Sequence, residues 1–270
     1  MTTTPYTSPI PVRRAHLGDA LLAEWTKMRS LRSTLWTLGV MVALVAGFGL
    51  LLAFVAGRLP EEELQRPGSV LDMGLPGMML ATVSVITLGV LTITSEFGTG
   101  LIRTTLTACP SRGRVLAAKA IVFFTLVFLT TTVVAALTAA AQSAILGTTG
   151  GAGAGQWLRV TVGVGLFMAC LGLLSLAAGA VLRHSAGAIT AMIGLVLLPY
   201  VMVFGLYADG LETVREALIQ YSIPALLGSL YVENAAELPG PSGGEALWIM
   251  MGAAAVALGG AYLSLDRRDV

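Results

Sequence analysis

The sequence predicts an all-α integral membrane protein of six transmembrane helices. An amphipathic helix precedes them, and short re-entrant extracellular helices come before the last span. Three observations carry this reading. Hydrophobic residues make up 56% of the 270 and charged residues only 11%, where soluble domains carry about 25% charged residues. The apolar residues are gathered into six runs: Leu35–Gly57, Leu75–Thr94, Ala120–Leu146, Leu158–Leu182, Ala186–Leu206 and Ala246–Leu265. Each is about the 20 residues that a helix needs to cross a ~30 Å hydrocarbon core. The third observation is the division of charge between the loops.

Threading the runs alternately collects Arg13, Arg14, Lys27, Arg29, Arg32, Arg103, Arg112, Arg114, Lys119, Arg183, Arg267 and Arg268 on one side. The other side keeps Arg58, Arg66, Arg159 and Arg215. Short basic segments resist translocation, so the basic side is expected to be cytoplasmic, with both termini there. The acids are distributed in the opposite sense: ten of fifteen, including Glu61, Asp72, Glu212 and Glu245, fall outside. A net charge of +1 therefore says nothing about partners, and no stretch reads as a nucleic-acid patch.

Met1–Val12 is rich in Thr and Pro and is expected to be disordered, with order starting near residue 16. In segment 16–33, Leu17, Leu21, Trp25, Met28 and Leu31 recur at helical spacing, flanked by Lys27, Arg29 and Arg32. Such a helix lies flat on the inner leaflet with Trp25 as its anchor. Glu24 falls inside the apolar arc. Either it pairs with Lys27 at i+3 and snorkels to water, or it meets a basic cytoplasmic loop or a partner. Arg58–Gly74 is a short acidic outer turn. Gly98 and Gly100 are expected to end the second span. Leu101–Ala108 then forms about two turns of helix before Cys109-Pro110, and Ser111 caps the third long helix, which carries Arg114 and Lys119 at its inner end. Gly147–Gln156 reads as a flexible outer turn, and Arg183-His184-Ser185 as a tight inner one with a solvated histidine. Ala217–Val232 is too short to span and is interrupted by Pro224, so two short helices dipping into the outer leaflet are expected. Gly165/Ala169, Ser175/Gly179 and Ala255/Gly259 are small-residue pairs that would permit close helix packing.

The chemistry that the residues exclude is as informative. A P-loop needs Gly-Lys-[Ser/Thr], and the two lysines follow Thr26 and Ala118. The chain is therefore not a P-loop ATPase, and it is read as having no enzyme activity of its own. His16 and His184 are the only histidines, with no HExxH, so no metal or cofactor is expected. Cys109 and Cys170 make no disulfide framework. Ionisable residues are nearly absent from mid-run, which argues against a proton- or ion-coupled relay.

Leu22-Ala23-Glu24-Trp25-Thr26-Lys27-Met28-Arg29-Ser30-Leu31-Arg32-Ser33 resembles the opening of ABC-2 type transporter permeases of actinomycetes. So does Ser95-Glu96-Phe97-Gly98-Thr99-Gly100-Leu101-Ile102-Arg103-Thr104-Thr105-Leu106, followed by Pro110-Ser111-Arg112 and Ala118-Lys119. The resemblance covers essentially the whole chain, residues 1–270, as a single membrane domain. It implies a permease subunit, and an exporter, in a bacterial plasma membrane. A separate ATPase subunit would carry ATP and Mg, and a second copy or a sibling permease would complete the path. Residues 16–33 would be the elbow helix, with Glu24, Trp25, Lys27, Arg29 and Glu96 in elbow and loop contacts. Gly100, Leu101, Ile102, Arg103, Thr104, Thr105 and Leu106 would be the ATPase-coupling segment, with Arg112, just beyond the breaker, contributing less. The pair near Glu212–Tyr231 would help close the outer exit. The apolar runs favour an amphipathic or hydrophobic cargo. A secondary transporter and a membrane scaffold or assembly factor are the competing classes.

The topology is open to a direct measurement. In a background lacking Cys109 and Cys170, single cysteines at Ser69, Thr149 and Ser242 should react with an impermeant reagent added outside, and one at Thr104 should not. External labelling at position 104 would invert the arrangement.

Overall fold

The computed structural model describes residues 16–58, 70–108, 111–149, 151–205, 211–232 and 240–267. Met1–Val12, Cys109-Pro110 and parts of the two longer acidic loops lie outside the described residues. Those described form helices, with no strand among them. In chain order they are α1 (Leu17–Ser30), α2 (Arg32–Ala56), a 3₁₀ turn (Val70–Gly74), α3 (Leu75–Thr99), α4 (Leu101–Ala108) and α5 (Arg112–Leu146). There follow α6 (Ala154–Leu182), α7 (Ser185–Gly205), α8 (Glu212–Gln220), α9 (Ile223–Gly228) and α10 (Gly243–Arg267). Six of these, α2, α3, α5, α6, α7 and α10, are long and apolar enough to cross a membrane, which is the architecture of a polytopic membrane protein.

Two helices form the centre. In α3 and α6, 67% and 72% of the most apolar window is buried, against 11–28% in the other four. α2, α5, α7 and α10 pack around them and turn wide apolar faces outward. Trp36 is 73% exposed, Leu137 66%, Val201 65% and Val256 77%. A surface of that kind has no counterpart on a soluble monomer and suits hydrocarbon.

Close approach at the centre depends on small residues, because lipid supplies no hydrophobic force between helices and van der Waals contact must. A Cβ at Gly89 on α3 would lie 2.5 Å from the Gly172 carbonyl oxygen on α6. Of the small-residue pairs read from sequence, Gly165 faces α5 at Thr132 and Gly179 faces Ile93 of α3, whereas Gly259 meets open space.

Element ends differ from the apolar runs where packing or capping extends them. α5 begins at Arg112, eight residues before its run, with Ser111 Oγ accepting from the Arg114 N–H. α6 begins at Ala154 inside the expected turn, and contains a π-helical turn at Arg159–Gly163. The buried Gln156 amide there donates to the Tyr231 carbonyl at 3.3 Å. Gly98 continues α3, and Gly100 ends it in the left-handed region at φ 72°, where a Cβ is unfavourable. The expected pair of short helices is present, separated just ahead of Pro224, which sits in the first turn of α9 after the Ser222 cap. α8 fully buries no residue, with Leu218 half-buried, whereas α9 buries Ile223, Leu226 and Leu227 against the bundle.

Replacing Gly89 with alanine should force α3 and α6 apart, an overpacking cost of about 1–3 kcal/mol. Gly259→Ala should be neutral or slightly stabilising, since it removes helix-interior glycine entropy. Thermal unfolding of the two purified variants in one detergent checks the order; equal melting temperatures would contradict the packing.

Candidate functional site

The candidate site lies where α1, α3, α4 and α5 meet, at the end of the bundle that carries most of the cations. α1 is preceded by its N-cap His16, whose backbone N–H donates to Asp19 at 2.9 Å, and it lies against α5. Its buried positions are Glu24 and Met28, with Ala20, Leu21 and Lys27 half-buried beside them. Leu17, Trp25 and Leu31, three members of the apolar arc read from sequence, are exposed. The helix is thus turned so that its acid faces protein and its tryptophan faces outward.

Glu24 pairs with Lys27 at i+3, as one reading expected, but it is buried and does not snorkel to water. Its Oε2 accepts from Lys119 Nζ of α5 at 2.6 Å, and its Oε1 from Lys27 Nζ at 2.8 Å. Glu96, in the last turn of α3, completes the cluster, because its Oε1 accepts from both lysines at 2.9 Å. Each ammonium has a third acceptor: the Thr92 carbonyl for Lys119 and Thr105 Oγ1 of α4 for Lys27, each at 3.4 Å. Two acids and two bases thus alternate in a net-neutral group that joins three helices and touches a fourth.

Burial is uneven across the group. Lys119 is 2% exposed and Lys27 35%. Lys27 is outside the spanning segments. Burial disfavours its charge, but hydrogen bonds and charge from Glu24 and Glu96 prevail and raise its pKa above the ordinary lysine value. A base raised by folding stabilises fully below its unfolded pKa and loses that contribution as pH rises through the folded value. The part that Lys27 plays is therefore lost on the alkaline side.

Of the sequence-predicted contacts, Glu24, Lys27 and Glu96 come together, while Trp25 and Arg29 are exposed and stand apart. The member that the site assignment missed is Lys119. A signal was available: Lys27 and Lys119 are the only lysines in an arginine-rich chain, and both are here. A compact ammonium with three donors suits a tight group of carboxylates where a planar guanidinium would not.

The segment for which the resemblance implies a coupling role is a helix at Leu101–Ala108, starting directly after Gly100. Leu101 and Thr104 are exposed, and Thr105 is held to Lys27. The side chains of Ile102, Arg103 and Leu106 lie outside the described residues. Arg112 Nη1 donates to the Leu265 carbonyl and so ties α5 to the end of α10. His184 is exposed, as expected of a loop histidine, yet its Nδ1 accepts from the Gly187 N–H at 3.0 Å and so caps α7. No family model matches the chain, and no curated protein does.

Removing one partner from a buried pair leaves an uncompensated charge, a cost of about 3–5 kcal/mol. Lys119→Met should therefore lower the melting temperature strongly, and the more exposed Lys27→Met should lower it less. Adding Glu24→Gln to Lys119→Met should recover part of the loss, a coupling that a double-mutant cycle reads directly. Additive effects would mean that the two side chains do not interact.

Proposed function

We propose that the chain is the membrane-spanning permease subunit of an ABC transporter of the ABC-2 type. It would be an exporter that moves an amphipathic or hydrophobic substrate across a bacterial plasma membrane, with both termini cytoplasmic. ATP and Mg are bound and turned over by a separate ATPase subunit. The observation that carries the reading is α4. It is a two-turn helix set between the ends of α3 and α5, and Lys27 links its Thr105 to Glu24 and Glu96. A load applied to α4 from a soluble partner would pass through a net-neutral strut into α1, α3 and α5. The missing P-loop and the Leu22–Ser33 and Ser95–Leu106 motifs support the same division of labour.

In this reading, ATP drives the cycle because it binds preferentially to one of two states of the assembly. Six helices are too few to enclose a path, so a second copy or a sibling permease completes it. Residues 16–33 serve as the elbow helix, and α8 with α9 helps close the outer exit.

Charge reversal Arg103→Glu and truncation Leu106→Ala should weaken association with the ATPase by about 1–2 kcal/mol or more each, with membrane insertion unchanged. Arg267→Glu, on an exposed end of α10, is a better control than a substitution at Arg112. Co-purification at equal membrane abundance reads the result. Full retention of the ATPase by both variants would remove α4 from the coupling role. ATP hydrolysis by the purified chain alone would refute the permease reading, and failure to capture any ATPase would favour a secondary transporter or a scaffold.

A further inference from the structure

A cavity of about 490 Å³ opens beside the charge cluster, between α1, the first turns of α2 and the second half of α3. Leu31, Leu88 and Leu91 supply apolar wall, and Ser33, Thr34 and Ser95 add hydroxyls. Glu24, Lys27, Glu96 and Lys119 line it as well. The volume is that of a site for one small organic molecule.

The hydrogen-bond inventory decides what kind of molecule. An ammonium has three N–H bonds to give, and both lysines have given all three. No ammonium donor is left for an anionic head group, which would also meet two carboxylates. Both Glu24 oxygens and Glu96 Oε1 already accept. Glu96 Oε2 does not: it is buried without a hydrogen-bond partner, a state costly for a carboxylate oxygen. The unmet need at this cavity is therefore a donor. A cation would supply one, but it would approach two ammoniums already seated on the same carboxylate. A neutral hydroxyl supplies it without that repulsion.

We propose that this cavity binds one neutral, hydroxyl-bearing, single-chain amphiphile drawn from the bilayer. Its hydroxyl donates to Glu96 Oε2, and its hydrocarbon chain lies along Leu31, Leu88 and Leu91. Oε2 is covered, so the hydroxyl reaches it after a small turn of the carboxylate about its terminal torsion, which is soft. The bilayer is the source because the flanking residues of α2, Leu35 and Trp36, are 57% and 73% exposed on a helix long and apolar enough to span. The site needs this chain alone, so it stands or falls separately from the transporter reading.

The experiment uses the purified full-length chain in detergent, with a 1-monoacylglycerol carrying a photoreactive diazirine in its acyl chain. Crosslinks are expected within residues 28–37 and 88–96. Unlabelled monoacylglycerol should compete about tenfold better than its di-O-methyl ether, the loss expected for one hydrogen bond to a charged group. A lysophosphatidic acid and a long-chain alkylamine of equal chain length should also compete more weakly. Leu91→Trp and Thr37→Trp each place an indole in the cavity and should cut labelling about tenfold while eluting as wild type does. If one variant does not fold, the other and the competitor series still decide. Equal competition by the ether, stronger competition by either charged amphiphile, or undiminished labelling of a folded tryptophan variant would overturn the proposal.

Discussion

Two lysines share two carboxylates where three helices converge at one end of the bundle, and that arrangement governs most of what surrounds it. Lys119 is nearly inaccessible, yet it is placed within 2.9 Å of an oxygen from each acid. A charge in such a place is tolerated only when its partners are in register. The need fixes how far α1 slides along α5, how α3 is rotated at Glu96, and where α4 begins. Helices in lipid lack a hydrophobic force that would choose among rotations and translations. A directional polar contact at one end supplies the choice.

The centre of the bundle meets the same problem with shape. α3 and α6 approach at Gly89 and Gly172 closely enough that a single added methyl would strike backbone. Small residues set how near the central helices lie, and the charge cluster sets how the helices are turned at that end of the bundle. Between these two constraints lies the cavity bounded by α1, α2 and α3. It is greasy along most of its wall and polar where it meets the cluster. A bundle that buried only apolar side chains would have no reason to keep an unmet acceptor such as Glu96 Oε2 at that depth.

The geometry also bears on how a membrane domain can be driven from outside. α4 has too few residues to be stable alone, since isolated helices need about 12–15, and its order depends on what it touches. Lys27 donates to Thr105 of α4 and to the acids of α1 and α3. A movement of α4 therefore has two routes inward: through the chain at Gly100, where a positive φ permits a sharp turn, and through a buried polar group. The first route is a hinge and the second is a strut.

Sequence alone determined the class of protein, the number of spans and their order, because a bilayer imposes a length and a polarity on every helix that crosses it. It also located the α1 and α4 helices and the Ser111 cap, since these rest on local periodicity and on breakers. It placed Glu24 as an anomaly in an apolar arc and offered Lys27 at i+3 as a partner, which the structure bears out, but it could not name the second partner. Lys119 is 95 residues away, and nothing in local spacing links the two. The turn of α1 that buries Glu24 and Met28, the hold of Arg112 on the end of α10 and the cavity beside Glu96 were likewise decided by tertiary structure. Each depends on which faces of distant helices meet, and in lipid that is settled by close backbone approach and by the few polar groups that must find one another.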